Sequence, residues 1–73
     1  MAADKRIEIL RQAIELIADE GYGSLSMRAL ARASGMKLGA LQYHFRTWDI
    51  LLTELVNYID SEITAAFESG GWS

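Results

Sequence analysis

With 73 residues, half of them apolar, the chain has room for one domain and one modest core. It contains no cysteine and a single histidine, which excludes a disulfide framework, a thiolate metal site and a multi-histidine metal centre. The net charge of −3 weighs against a nucleic-acid partner if it is spread evenly, but it is not. Residues 1–48 hold all seven bases against five acids, and residues 49–73 hold five acids and no base. Between Ser24 and Trp48 lie Arg28, Arg32, Lys37 and Arg46 with no acid among them, the asymmetry expected of a local phosphate-binding face. No apolar run approaches the roughly 18 residues of a membrane span. The start of the chain, from Met1 to Arg6, runs into a Glu-studded amphipathic stretch and does not read as a signal peptide. A cytoplasmic location is the default expectation.

In chain order, the first helix is expected over 4–20. Ile9, Leu10, Ala13, Leu16 and Ile17 recur at three- and four-residue steps and make one apolar face. Asp4 is placed to cap its start, and Gly21 to close it in the left-handed conformation. Tyr22 is expected to pack back on the core. A short second helix follows over 27–33, with Ser26 as its cap and Met27, Leu30 and Ala31 on its buried side. A third is expected over 37–45, anchored by Leu41 and Phe45 at i and i+4. Thr47 caps a fourth over 48–68, where Leu51, Leu55, Tyr58 and Ile59 form a stripe that Leu52, Val56, Ile63 and Phe67 widen. That stripe is wider than three short helices need to cover. Residues 69–73 read as a frayed tail.

Met27–Phe45 reads as helix, tight turn, helix. Ala31 is small enough for two helices to cross closely, Gly35 tolerates the positive φ of the turn, and Leu30, Met36 and Leu41 fill the space between. This is the spacing of a helix-turn-helix, in which the second helix enters the major groove of DNA and the first locks onto the backbone. Gln42 projects from that second helix and is suited to pair bidentately with adenine. Leu38 and Ala40 are suited to thymine methyl groups, and Lys37 to guanine or a phosphate. Leu38 has no evident structural reason on a face otherwise expected to be exposed, whereas Gly39 allows a close approach of backbone to DNA. Ser26 and Thr47 sit where helix N-termini favour phosphate, a role compatible with capping. The adjacent acids Asp19 and Glu20 have no partner nucleophile and read as surface charges. No catalytic constellation is present, so an enzyme is not expected, nor is a cofactor.

From Ile9 to about Leu55 the sequence resembles the TetR family of bacterial transcriptional repressors. The residues that carry the resemblance are Ile9-Leu10, Ala13, Leu16 and Gly21-Tyr22, then Ser26-Met27-Arg28 and Leu30-Ala31. They continue with Gly35-Met36, Gly39-Ala40-Leu41, Tyr43-His44-Phe45, Asp49 and Leu51. The resemblance implies an all-α, homeodomain-like helical bundle with a helix-turn-helix domain over 4–47 and a longer fourth helix leading toward an absent ligand-binding and dimerisation domain. It implies a double-stranded DNA operator as partner, a homodimer in a full-length protein, and a small-molecule inducer acting through that other domain. It places Arg28 at the bases, and Tyr43 and His44 on the DNA backbone. The family pattern often has Ser, a polar or basic residue, Tyr and Lys where this chain has Lys37, Leu38, Gln42 and Trp48. The missing lysine removes one phosphate contact, which Lys37 and Arg46 are placed to replace. Trp48 is suited either to the core or to the sugar-phosphate backbone. The alternative function, from a different class, is a helical protein-interaction module that uses the apolar face of the fourth helix.

Overall fold

A computed structural model describes residues 4–68, and the expected tail at 69–73 lies outside them. Four helices make up the architecture: α1 (Lys5–Glu20), α2 (Met27–Ala33), α3 (Leu38–His44) and α4 (Trp48–Glu68). Among the described residues there is no strand, and no helix is long and apolar enough to cross a membrane.

α1, α2 and α4 each start where a polar side chain accepts from an early amide, whereas α3 starts from extended Lys37 with no side-chain cap. Asp4 accepts a hydrogen bond from the Arg6 amide at 2.9 Å, so it precedes α1 as a cap rather than belonging to it. The α1 terminus differs from expectation in two ways. Gly21 has φ +88° and ψ 159°, so its φ is positive but the residue is extended, not left-handed helical. Its N–H still closes the helix by donating to the Ile17 carbonyl at 2.8 Å. Tyr22 was expected on the core, yet it is 60% exposed. The reason is a single 3-10 turn, Tyr22–Ser24, that swings the tyrosine outward and delivers Leu25 to the core instead.

The turn between α2 and α3 follows from Gly35. Its φ of +69° places two amides back over the helix end. Gly35 donates to the Arg32 carbonyl at 3.1 Å and Met36 to the Ala31 carbonyl at 2.9 Å, a complete Schellman closure. At α3 the expected span of 37–45 contracts by one residue at each end. Lys37 and Phe45 are extended flanking residues whose carbonyl and amide, respectively, still join the ladder.

One core holds all four helices. Ile9, Leu10 and Ala13 of α1, Leu25 after the 3-10 turn, Leu30 and Ala31 of α2, Leu41 and Phe45 around α3, and Leu51 and Leu55 of α4 are buried together. Full burial of each large apolar side chain contributes about 1.5–3 kcal/mol. Ile14, Leu16, Ile17, Met27, Met36, Trp48, Tyr58 and Ile59 pack around the edge. Beyond Ile59 nothing on α4 is buried, and residues 60–68 are all exposed. Val56, Ile63 and Phe67 are exposed as well, so the apolar stripe of α4 extends past the core it serves.

Phe45 carries a second layer of contacts. The Arg6 guanidinium lies 5.0 Å from the centre of its ring and forms an ion pair with Glu54. The start of α1 is thereby clasped to the end of α3 and to α4. Arg11 Nε donates to the Tyr58 hydroxyl at 3.0 Å, a second α1–α4 link. Replacing Phe45 with alanine should cost about 3–5 kcal/mol, a large fraction of the stability of a domain of this size. Val56→Thr, at a 64% exposed position, should change stability by less than about 0.5 kcal/mol. Urea unfolding followed by circular dichroism checks both.

Candidate nucleic-acid interface

The candidate interface is built from the start of α2, the whole outer face of α3 and the turn into α4. Leu41 is the one buried residue within α3, and Phe45 is buried immediately after it. Because a helix buries one edge at a time, this pins one side of α3 and turns the other outward. Lys37, Gly39, Ala40, Gln42 and Tyr43 are exposed, Tyr43 to 83%. Gln42 therefore stands clear of the protein with its amide unoccupied by any neighbour among the described residues.

Arg28 at the start of α2 is exposed and lines a shallow groove between α2 and α3 with Ala31, Arg32, Met36 and Leu38. Leu38 is half-buried and lines this groove with Met36, but unlike Met36 it does not pack against the core. Arg32 shares that groove with Arg28. Two cations one helical turn apart thus face the same opening.

The hydroxyls at the two helix starts are already in use as acceptors. Ser26 Oγ accepts from the Ala29 amide at 3.1 Å, and Thr47 Oγ1 accepts from the Ile50 amide at 3.1 Å. A hydroxyl used in this way keeps its own proton free to donate, so each can hold its helix and still offer a hydrogen to an oxyanion. At the end of α3 the Tyr43 and His44 rings meet edge to face, 5.3 Å between centres, with His44 half-buried and Tyr43 standing outside it. Arg46 is exposed in the turn that follows. Trp48 packs against the core while keeping part of its surface open, so the core placement leaves a face of the ring at the surface.

The electrostatics sort the seven bases into two sets. Outside the acid-free segment, Lys5 pairs with Glu8 at 3.7 Å, Arg6 with Glu54, and Arg11 bonds to Tyr58. The Tyr58 oxygen raises the pKa of the Arg11 guanidinium, which stays fully charged. Inside the segment, Arg28, Arg32, Lys37 and Arg46 form no ion pair among the described residues. Sequence inspection finds the four clustered cations but not the engagement of the other three, because Arg6 and Arg11 meet partners more than 40 residues away. The one advance signal is that α4 carries five acids and no base.

Comparison with known proteins agrees with this geometry. Residues 9–55 match the family model described as bacterial regulatory proteins, tetR family. The HTH-type transcriptional regulator AcrR of Shigella flexneri is 32% identical over 62 residues, which is 85% of this chain and 29% of that protein. An HTH-type transcriptional repressor of Mycobacterium tuberculosis is 39% identical over 67 residues, 92% of this chain and 35% of that protein. A crystal structure of a Streptomyces coelicolor A3(2) protein, assigned as a transcriptional regulator, superposes with a TM-score of 0.81 at 34% identity. It aligns over 92% of this chain and 39% of its own. The chain thus spans about a third of the length of the relatives it matches.

The caps yield a test that needs no ligand. Ser26→Ala and Thr47→Ala should each lower stability by about 0.5–2 kcal/mol, and Thr47→Asp should preserve it. Thermal melts followed by circular dichroism give the comparison.

Proposed function

Because the chain belongs to the tetR family of bacterial regulatory proteins, we propose that it is the sequence-specific DNA-binding unit of a transcriptional repressor, with α3 as the helix that enters the major groove. The observation that carries this reading is the outward face of α3, flanked by four cations that form no ion pair among the described residues. In this reading Gln42 and Ala40 meet base edges at the centre of the contact, with Lys37, Leu38 and Arg28 reaching bases at its margin. Ser26, Tyr43, His44, Arg46, Thr47 and the exposed part of Trp48 meet the phosphate backbone and set the register. Hydroxyl donors and helix amides at Ser26 and Thr47 suit phosphate oxygens, and the Tyr43 hydroxyl stands far enough out to reach one.

The same proposal assigns α4 to the connection with a second domain that binds a small-molecule inducer and holds two copies together. Two such units in a homodimer would present their α3 helices to half-sites about 34–36 Å apart, one turn of DNA. A single unit should bind weakly, near the non-specific range of roughly 10⁻⁴–10⁻⁶ M at physiological salt. The alternative of a helical interaction module has one observation in its favour, the apolar groove between α1 and α4 lined by Ile14, Tyr58, Ile59 and Ile63. It is compatible with DNA binding because that groove lies on helix faces other than those of α3.

Substitution separates the roles. Gln42→Ala should relax preference at one base pair at a cost of about 1–3 kcal/mol. Arg46→Ala should weaken binding to all sequences and make the logarithmic salt slope shallower by about one. Fluorescence anisotropy on a set of single-base duplex variants reads both. A Gln42→Ala variant that loses the same affinity on every duplex contradicts direct readout.

A further inference from the structure

Arg32 is the one cation of the acid-free segment without a role in the DNA contacts above. It stands one turn after Arg28 on α2, with about 5–6 Å between their Cβ atoms. Both are exposed, α2 carries no acid, and neither arginine forms an ion pair among the described residues. Like charges at this spacing repel and weaken a helix, and α2 has only seven residues over which to absorb the cost. The helix dipole favours Arg32 in the last turn but opposes Arg28 near the start, so it does not account for the pair.

The two arginines face an amphiphilic groove. Between α2 and α3 it is lined by Ala31, Met36 and Leu38 together with Arg28 and Arg32. Met36 packs against the core and Leu38 does not, so part of this apolar lining has no partner inside the protein. Cations beside an apolar wall match the chemistry of a single nucleotide of backbone. The phosphate suits a guanidinium, and the carbon-rich face of the deoxyribose suits Met36 and Leu38. An acidic peptide would also satisfy the charges. The groove, however, is continuous through Leu38 with the exposed face of α3, so a duplex lying along α3 also lies over it.

We propose that the α2–α3 groove seats a sugar-phosphate of one DNA strand, with Arg32 as the residue that holds the phosphate. This rests on the DNA-binding reading above and deepens it, by adding a backbone contact on the α2 side of α3 to those at the turn into α4. A guanidinium donates two parallel N–H bonds to phosphate oxygens, so the contact fixes orientation as well as charge. It carries no base information, and its effect is on affinity and register.

Arg32→Gln removes the charge at an exposed position and should leave the melting temperature within about 4 °C. In fluorescence anisotropy it should make the logarithmic salt slope shallower by about 0.9, on selected and unrelated duplexes alike. That slope corresponds to binding weakened about eightfold at about 0.1 M salt, with the deficit closing toward about 1 M. Arg32→Lys should keep the slope of the unaltered protein. The decisive comparison uses a duplex selected from a random pool by the unaltered protein, with one phosphate at a time replaced by an uncharged methylphosphonate. The unaltered protein should weaken at several positions, and Arg32→Gln at all of these but one. Loss of structure alone would leave the set of sensitive positions unchanged, so this comparison decides whatever the melting temperature does. An identical set for both proteins, or an unchanged salt slope, overturns the proposal and leaves the groove to an acidic protein partner. If the unaltered protein shows no salt-sensitive binding to any duplex, the DNA-binding reading falls and this inference with it.

Discussion

The fold depends on how α3 is held. A helix of seven residues cannot persist in water unaided, and α3 has only Leu41 and the following Phe45 with which to grip the core. Phe45 is wholly buried, closed over by the Arg6 guanidinium, which in turn is tied to Glu54. Contacts from α1 and α4 thus converge on the residue that terminates α3. Since the grip is confined to one edge, Gly39, Ala40, Gln42 and Tyr43 of α3 are left exposed. A fully packed helix would be steadier and would have nothing to offer a partner.

The same economy governs charge. A domain with net charge −3 can present a cationic face only if its acids stand elsewhere and its other bases are occupied. Both conditions hold: Lys5, Arg6 and Arg11 are engaged within the protein, and five acids lie at or beyond Asp49. Surface ion pairs of this kind contribute little to stability, about 0–1 kcal/mol each. Their effect here is on where the unbalanced positive charge lies. Long-range attraction of a polyanion depends on that local field more than on the net charge of the chain.

Much of this was legible in the sequence because it is periodic or local. The apolar spacing of Ile9, Leu10 and Ala13, the caps at Asp4, Ser26 and Thr47, and the turn at Gly35 are each written within four or five consecutive residues. What escaped was set by tertiary contact. Tyr22 reads as a core residue by its chemistry, but a 3-10 turn exchanges it for Leu25, and no periodicity announces that exchange. The clasp of Arg6 on Phe45 and Glu54 joins residues far apart in the chain, so spacing carries no trace of it. For the candidate site, the clustered cations and the outward position of Gln42 could be read in advance. That the other three bases are engaged within the protein could not.

The central claim is that α3 and the two helix starts beside it form one DNA-docking face. Its most direct test is an amide chemical-shift titration of the ¹⁵N-labelled protein with duplex DNA at low salt. The account predicts shifts concentrated at residues 26–28 and 37–48, reversed by added salt, with little change along the outer half of α4. Shifts absent from residues 37–44, or confined to α4 beyond Val56, would contradict it.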